Sequence, residues 1–203
     1  YIRHFSYTPR QYNKIAEKAD LERKYIYFAL QLMPEETTIP RAGVFAEQFQ
    51  SIELLARCAK EFGIEVYVKE HYVQWYRSRQ FYEDLLKISN VHLIRSDEDT
   101  PEIMRHSIAV ATQTGTCILE GTLIDKPALV FGDGYCWKGM PGVFQIDNET
   151  EGKKVIHEIL EGRQNVDRSA LMKYFAAIEK ESVRYHACDN IGVTKEERLS
   201  VIL

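Results

Sequence analysis

Thr112-Gln113-Thr114-Gly115-Thr116 crowds three hydroxyls, an amide and a glycine into five residues, between the apolar run Ile108–Ala111 and a helical stretch from Cys117 to Ile124. The run reads as a buried strand and Ala128-Leu129-Val130-Phe131 as the next one, which makes a βαβ unit. A glycine among hydroxyl residues at a strand-to-helix turn leaves backbone N–H groups unpaired where the helix dipole favours an anion. A phosphate is the natural guest. The turn lacks the lysine of a P-loop, and it is not a GxGxxG fingerprint. Each threonine also has a plainer reading as a turn former or N-cap. Glu120 lies one helical turn beyond Thr116 on the same face. Its carboxylate either accepts from vicinal ribose hydroxyls or is a solvated helix glutamate.

Other reactive side chains fall where strands should end. Gln31 with Glu35-Glu36 follows Tyr25–Leu30, Lys69-Glu70-His71 follows Glu65–Val68, Arg95-Ser96 follows Val91–Ile94, and Gly132-Asp133-Gly134-Tyr135 follows Ala128–Phe131. Each alone passes for a turn carboxylate, a solvated strand end or a simple turn. Together on one edge they point to a ligand site.

The elements that must carry these residues alternate. A capped, charged helix is expected after Ser6-Tyr7-Thr8-Pro9 through Lys24, then strand one, a helix from Val44 to Phe62 stopped by Gly63, strand two and a helix from Gln80 to Ile88. Strand three, a short helix from Pro101 to His106, the βαβ unit and a sixth strand at Val143–Ile146 follow. Helices are expected over 149–161, 167–186 and 194–202, the middle one periodic through Leu171, Tyr174, Phe175 and Ile178. Six buried strands separated by helices imply an α/β, doubly wound Rossmann-like parallel sheet. With the order 3-2-1-4-5-6, its switch crevice opens between strands one and four. The domain reading is a lead-in helix at 1–23, a nucleotide-sugar-binding domain at 24–163, and C-terminal helices at 164–203 packed on it.

Composition narrows the partners. Twenty-six basic against thirty acidic residues give a net charge of −4, which argues against a general nucleic-acid or membrane-surface binder. Cys58, Cys117, Cys136 and Cys188 are scattered without a CxxC pair and read as reduced cytosolic thiols, not a disulfide or zinc framework. No run is long enough for a transmembrane helix, and no signal peptide is visible. The opening at Tyr1 without methionine leads to the expectation of a segment upstream.

The succession QLMPEETT (31–38), Phe45-Ala46-Glu47-Gln48, YVKEH (67–71), TQTGTCILEG (112–121) and KPALVFG (126–132) resembles the capsule polysaccharide biosynthesis proteins. It looks most like the bacterial glycosyltransferases that include the capsular Kdo transferases. The likeness spans roughly Tyr25 to Ile146 and implies the C-terminal, donor-binding half of a GT-B enzyme. It further implies a nucleotide-sugar donor such as CMP-Kdo, a glycan or glycolipid acceptor held by an absent N-terminal domain, and a cytoplasmic place at the inner membrane face. Catalytic roles are implied for His71 and Glu35. Substrate contacts are implied for Lys69, Glu70, Thr112, Gln113, Thr114, Gly115, Thr116 and Glu120, with no metal, and Arg95 and Ser96 join them from their place at a strand end. The family usually continues Lys-Glu-His with proline, and this chain has Tyr72. A non-catalytic nucleotide-binding or assembly module and a sugar-nucleotide epimerase of the same fold are the alternatives.

Overall fold

Strands β1 (Tyr25–Ala29), β2 (Glu65–Lys69), β3 (Val91–Ile94), β4 (Ala109–Thr112), β5 (Ala128–Val130) and β6 (Val143–Gln145) form one all-parallel sheet in the order β3-β2-β1-β4-β5-β6. The structure, a computed structural model, describes residues 6–35, 38–73, 77–132 and 137–182. The order is the expected one, and the two helical layers follow from burial. Strand β1 has Ile26 and Phe28 on one face and Tyr25 and Tyr27 on the other, each at most 4% exposed, so both faces need helical cover.

Helices α2 (Gln48–Lys60), α3 (Arg79–Leu85) and α6 (Glu149–Leu160) bury residues in the first layer. Helices α4 (Thr100–His106) and α5 (Cys117–Leu123) do so in the second. There, Tyr25 stacks on Tyr67 at 4.0 Å and donates its hydroxyl to the Ile103 carbonyl at 2.7 Å, satisfying a phenol inside the core. No helix among the described residues is long and apolar enough to cross a membrane.

Three expectations are corrected. The helix expected from Val44 begins at Gln48, because Glu47 is extended at φ −80°, ψ 104° and interrupts the helical path. A 3-10 turn at Gly43–Phe45 buries Phe45 and leaves Val44 81% exposed. The lead-in helix is only α1 (Pro9–Ile15), with a Thr8–Gln11 capping box. After it, Glu17 pairs with the sheet edge, donating its N–H to the Leu93 carbonyl and accepting from the Arg95 N–H. Helix α7 (Arg168–Glu181) exists, but of its apolar stripe Leu171 alone is buried. The helix expected at 194–202 lies outside the described residues, as do Glu36, the turn 133–135, Cys136 and Cys188.

Gly132 joins the loop after β1 to the end of β5. Its φ is +109°, and a Cβ there would lie 2.7 Å from the Ala42 Cα. Gly132→Ala is expected to lower stability by about 1–3 kcal/mol through backbone strain and overlap. Chemical denaturation measures it; a loss too small to resolve would mean that the two segments separate freely.

Candidate functional site

The strand order reverses between β1 and β4, so the chain diverges there and leaves a crevice outside their carboxyl ends. A cleft of about 220 Å³ occupies it, lined by residues 29–32, Glu35, His71, Thr112 and the turn 114–117. A larger cavity of about 610 Å³ lies between the first turns of α2 and α3. Its ionisable side chains are Glu47, Asp84 and an Arg77 already paired with Glu70, so the smaller cleft is the one suited to an anion.

The turn is held from two sides. The Gln31 amide accepts the Thr114 N–H at 2.9 Å and donates to the Thr114 hydroxyl at 3.3 Å. On the other side the Trp137 indole N–H donates to the Thr114 carbonyl at 3.0 Å. Gly115 packs closely, since a Cβ would stand 3.2 Å from the Thr112 hydroxyl and 3.3 Å from the Gln31 side chain, and both would have to yield by a few tenths of an ångström. The amides of Gly115, Thr116 and Cys117 donate to no acceptor among the described residues. Thr116 occupies the N-cap position, yet its side chain makes no capping bond. Three N–H groups and a hydroxyl therefore remain for a ligand.

His71 and Glu35 also line this cleft. The His71 N–H donates to the Glu70 carboxylate at 2.7 Å, and its ring stacks on Tyr72 at 4.8 Å. Nδ1 accepts from the Val73 N–H at 3.4 Å, so a neutral ring carries its proton on Nε2. These contacts hold the imidazole without the proline of the related motif. Glu35 lies in a loop pinned by the buried Thr38, whose hydroxyl accepts from the Glu35 N–H and donates toward the Leu32 and Glu35 carbonyls.

Lys69 and Glu70 are engaged by the protein. The Lys69 ammonium donates to the Glu98 carbonyl and the Thr100 hydroxyl, both at 2.6 Å. Burial pushes its pKa down against the opposing pull of Asp99, Glu98 and Asp97. Glu70 pairs with Arg77 at 2.8 Å, both side chains at most 8% exposed, and accepts from the Tyr82 hydroxyl. Arg77 also donates to the Gln31 carbonyl at 2.8 Å. The buried Gln48 amide brackets the same residue, accepting the Gln31 N–H at 2.8 Å and donating to its carbonyl at 2.9 Å.

Of the remaining candidates only Thr112 lines the cleft. Thr112 donates to the Ala29 carbonyl at 3.1 Å, tying β4 to β1 below the cleft. Gln113 faces α2 and donates to Ser51 at 3.2 Å. Arg95 pairs with Asp97 at the surface, and Ser96 donates to Asn13. Glu120 is exposed on α5, outside the cleft lining, yet close enough to Tyr27 and Cys117 that its charge adds to burial in raising their pKa values. Arg77 and Trp137 escaped sequence reading, and Gln48 entered it only as a motif residue without a role. Only contacts across the fold give them a role.

Comparison with solved structures identifies the fold as that of a GT-B-type Rossmann-like domain. Similar structures include UDP-GlcNAc 2-epimerase from Methanocaldococcus jannaschii, with TM-score 0.52 and 11% identity over 84% of this chain and 48% of that one. The OtsA apo structure gives 0.52 and 13% over 86% and 46%. The S. aureus MnaA–UDP co-structure gives 0.50 and 14% over 81% and 49%. The chain thus spans about half the length of these proteins. No protein-family model matches the sequence, and no curated protein sequence does.

Proposed function

We propose that this chain is the donor-binding half of a glycosyltransferase, with the nucleotide phosphates of a sugar donor seated against the turn 114–117. One observation carries this reading: a cleft that joins the uncommitted N–H groups of Gly115, Thr116 and Cys117 to His71 across a switch point. Breaking a sugar–phosphate bond develops negative charge on the departing nucleotide. Preorganised N–H groups, the Thr116 hydroxyl and the His71 Nε2–H stabilise that charge without reorganising. Lys69, Glu70, Arg95, Ser96, Thr112 and Gln113 then act around the donor, Lys69, Glu70 and Thr112 by holding the strand ends that present it.

The finer reading, from the motif resemblance, is a capsular or cell-surface polysaccharide transferase working at the inner membrane face, with CMP-Kdo as donor and a second domain for the acceptor. Glu35 beside His71 favours a second reading, a sugar-nucleotide epimerase, since two ionisable groups on one cleft suit proton removal and return. Sugar inverted at one carbon without an acceptor would select it.

Titration with UDP and CMP is expected to move the amide resonances of Gly115, Thr116 and Cys117. Glu120→Gln is expected to weaken binding by about 1.5–3 kcal/mol, the scale of a hydrogen bond to a charged group. Unchanged resonances at the turn with both nucleotides would remove the reading. Unchanged affinity in the variant would detach Glu120 from the ribose.

A further inference from the structure

His71 lines a second space. Behind it lies a pocket of about 140 Å³ walled by Tyr7, Tyr12 and Tyr82, with Glu70 and Ser96 also on its lining. The rings form a continuous aromatic corner: Tyr82 sits 5.3 Å from Tyr12, edge-on, and 5.8 Å from Tyr7. Helix α1 and the residues before it bring two of these tyrosines against the carboxyl ends of β2 and β3, so the pocket exists only because the lead-in segment folds back onto the sheet edge.

Its polar groups have one character. Tyr7 donates its hydroxyl proton to Glu83, Tyr12 to the Ile94 carbonyl, Tyr82 to Glu70, and Ser96 to Asn13. The Tyr12 hydroxyl also accepts from the Glu70 N–H, while the hydroxyl oxygens of Tyr7, Tyr82 and Ser96 keep acceptor positions. The Glu70 carboxylate takes three donors, from Arg77, Tyr82 and the His71 N–H. It has about four acceptor positions, so one remains. A carboxylate at the wall repels a second phosphate, and the aromatic faces, negative at their centres, attract the polarised C–H groups of a saturated ring. The complementary ligand is a small uncharged ring that brings its own hydroxyl donors.

We infer that this tyrosine-lined pocket is the subsite for the sugar ring of the donor, reached past His71 from the phosphate cleft. The inference rests on the proposed nucleotide site. It gives the donor a direction: the nucleoside leaves the turn along α5 toward Glu120, and the sugar leaves it in the opposite sense, over His71. His71 then stands between leaving phosphate and sugar, where the breaking bond lies.

The test compares UDP, UDP-N-acetylglucosamine and free N-acetylglucosamine on the whole chain, by calorimetry and amide resonances. The sugar nucleotide is expected to bind about tenfold tighter than UDP and to shift Ser96, which UDP leaves in place. In Tyr7→Ala the affinity ratio is expected to fall to about one, and in Tyr7→Phe, which keeps the ring, to persist. A ratio unaltered by Tyr7→Ala, or a sugar nucleotide that leaves Ser96 unmoved, overturns the subsite. If Tyr7→Ala does not fold, the Ser96 shift in the unaltered chain decides. If neither nucleotide binds, the phosphate reading fails by itself, and the free sugar at high concentration judges the pocket: a shift at Ser96 upholds it, and none overturns it.

Discussion

Arg77→Met is expected to destabilise the chain by about 3–5 kcal/mol, the usual consequence of leaving one member of a buried ion pair without its partner. Both side chains of the Arg77–Glu70 pair are nearly inaccessible, so water cannot replace the lost guanidinium. The Gln31 carbonyl loses a donor in the same step, keeping only Gln48 among the contacts described above. A melting temperature lower by about 6–20 °C follows for a chain of this size. The double variant Glu70→Gln/Arg77→Met is expected to recover most of the loss, because glutamine carries no buried charge: its one amide oxygen accepts the His71 N–H, and its NH2 donates to the Tyr82 hydroxyl oxygen. Thermal and chemical denaturation measure both proteins. A single variant as stable as the original chain, or a double variant no better than the single, would show that the pair is not the anchor of the strand ends.

His71→Ala is expected to reduce sugar transfer by the full-length enzyme about 10²–10³-fold, the range for removal of one preorganised donor to a developing oxyanion. Stability should change by no more than about 0.5 kcal/mol, since the ring is only partly buried and its backbone N–H, not its side chain, meets Glu70. His71→Gln, which offers an amide donor in place of Nε2–H, should restore part of the rate. Comparing turnover with melting temperature across the three proteins separates the roles. Equal losses in both quantities would make His71 a structural residue of the β2 end.

Most of the sheet could be read directly from the chain. Strand runs such as Tyr25–Leu30 and Ile108–Ala111 are apolar on both faces, and only a parallel sheet covered on both sides buries such runs. The turn 112–116 was equally legible, because glycine and threonines between a strand and a helix already specify local backbone chemistry. Helix starts were harder. Apolar spacing through Phe45 and Phe49 continues across a 3-10 turn and into α2, and periodicity cannot see the extended backbone of Glu47 that separates them.

By itself, then, the sequence determined the alternation of strands and helices, and so a parallel sheet and the loops at its carboxyl edge, while the strand order was assumed from the usual doubly wound pattern and shown by the structure. Those properties depend on burial pattern and local backbone preference, which neighbouring residues encode. Only the tertiary structure decided which polar side chains face the cleft. Lys69 and Glu70 sit beside His71 in sequence, yet loop 98–100 and Arg77 engage them, while Gln31, Gln48 and Trp137 arrive from separate elements to hold the turn. A side chain's hydrogen-bond partners are set by what folds against it, and for Glu70 the bonded arginine lies seven residues away, beyond the reach of any periodic pattern.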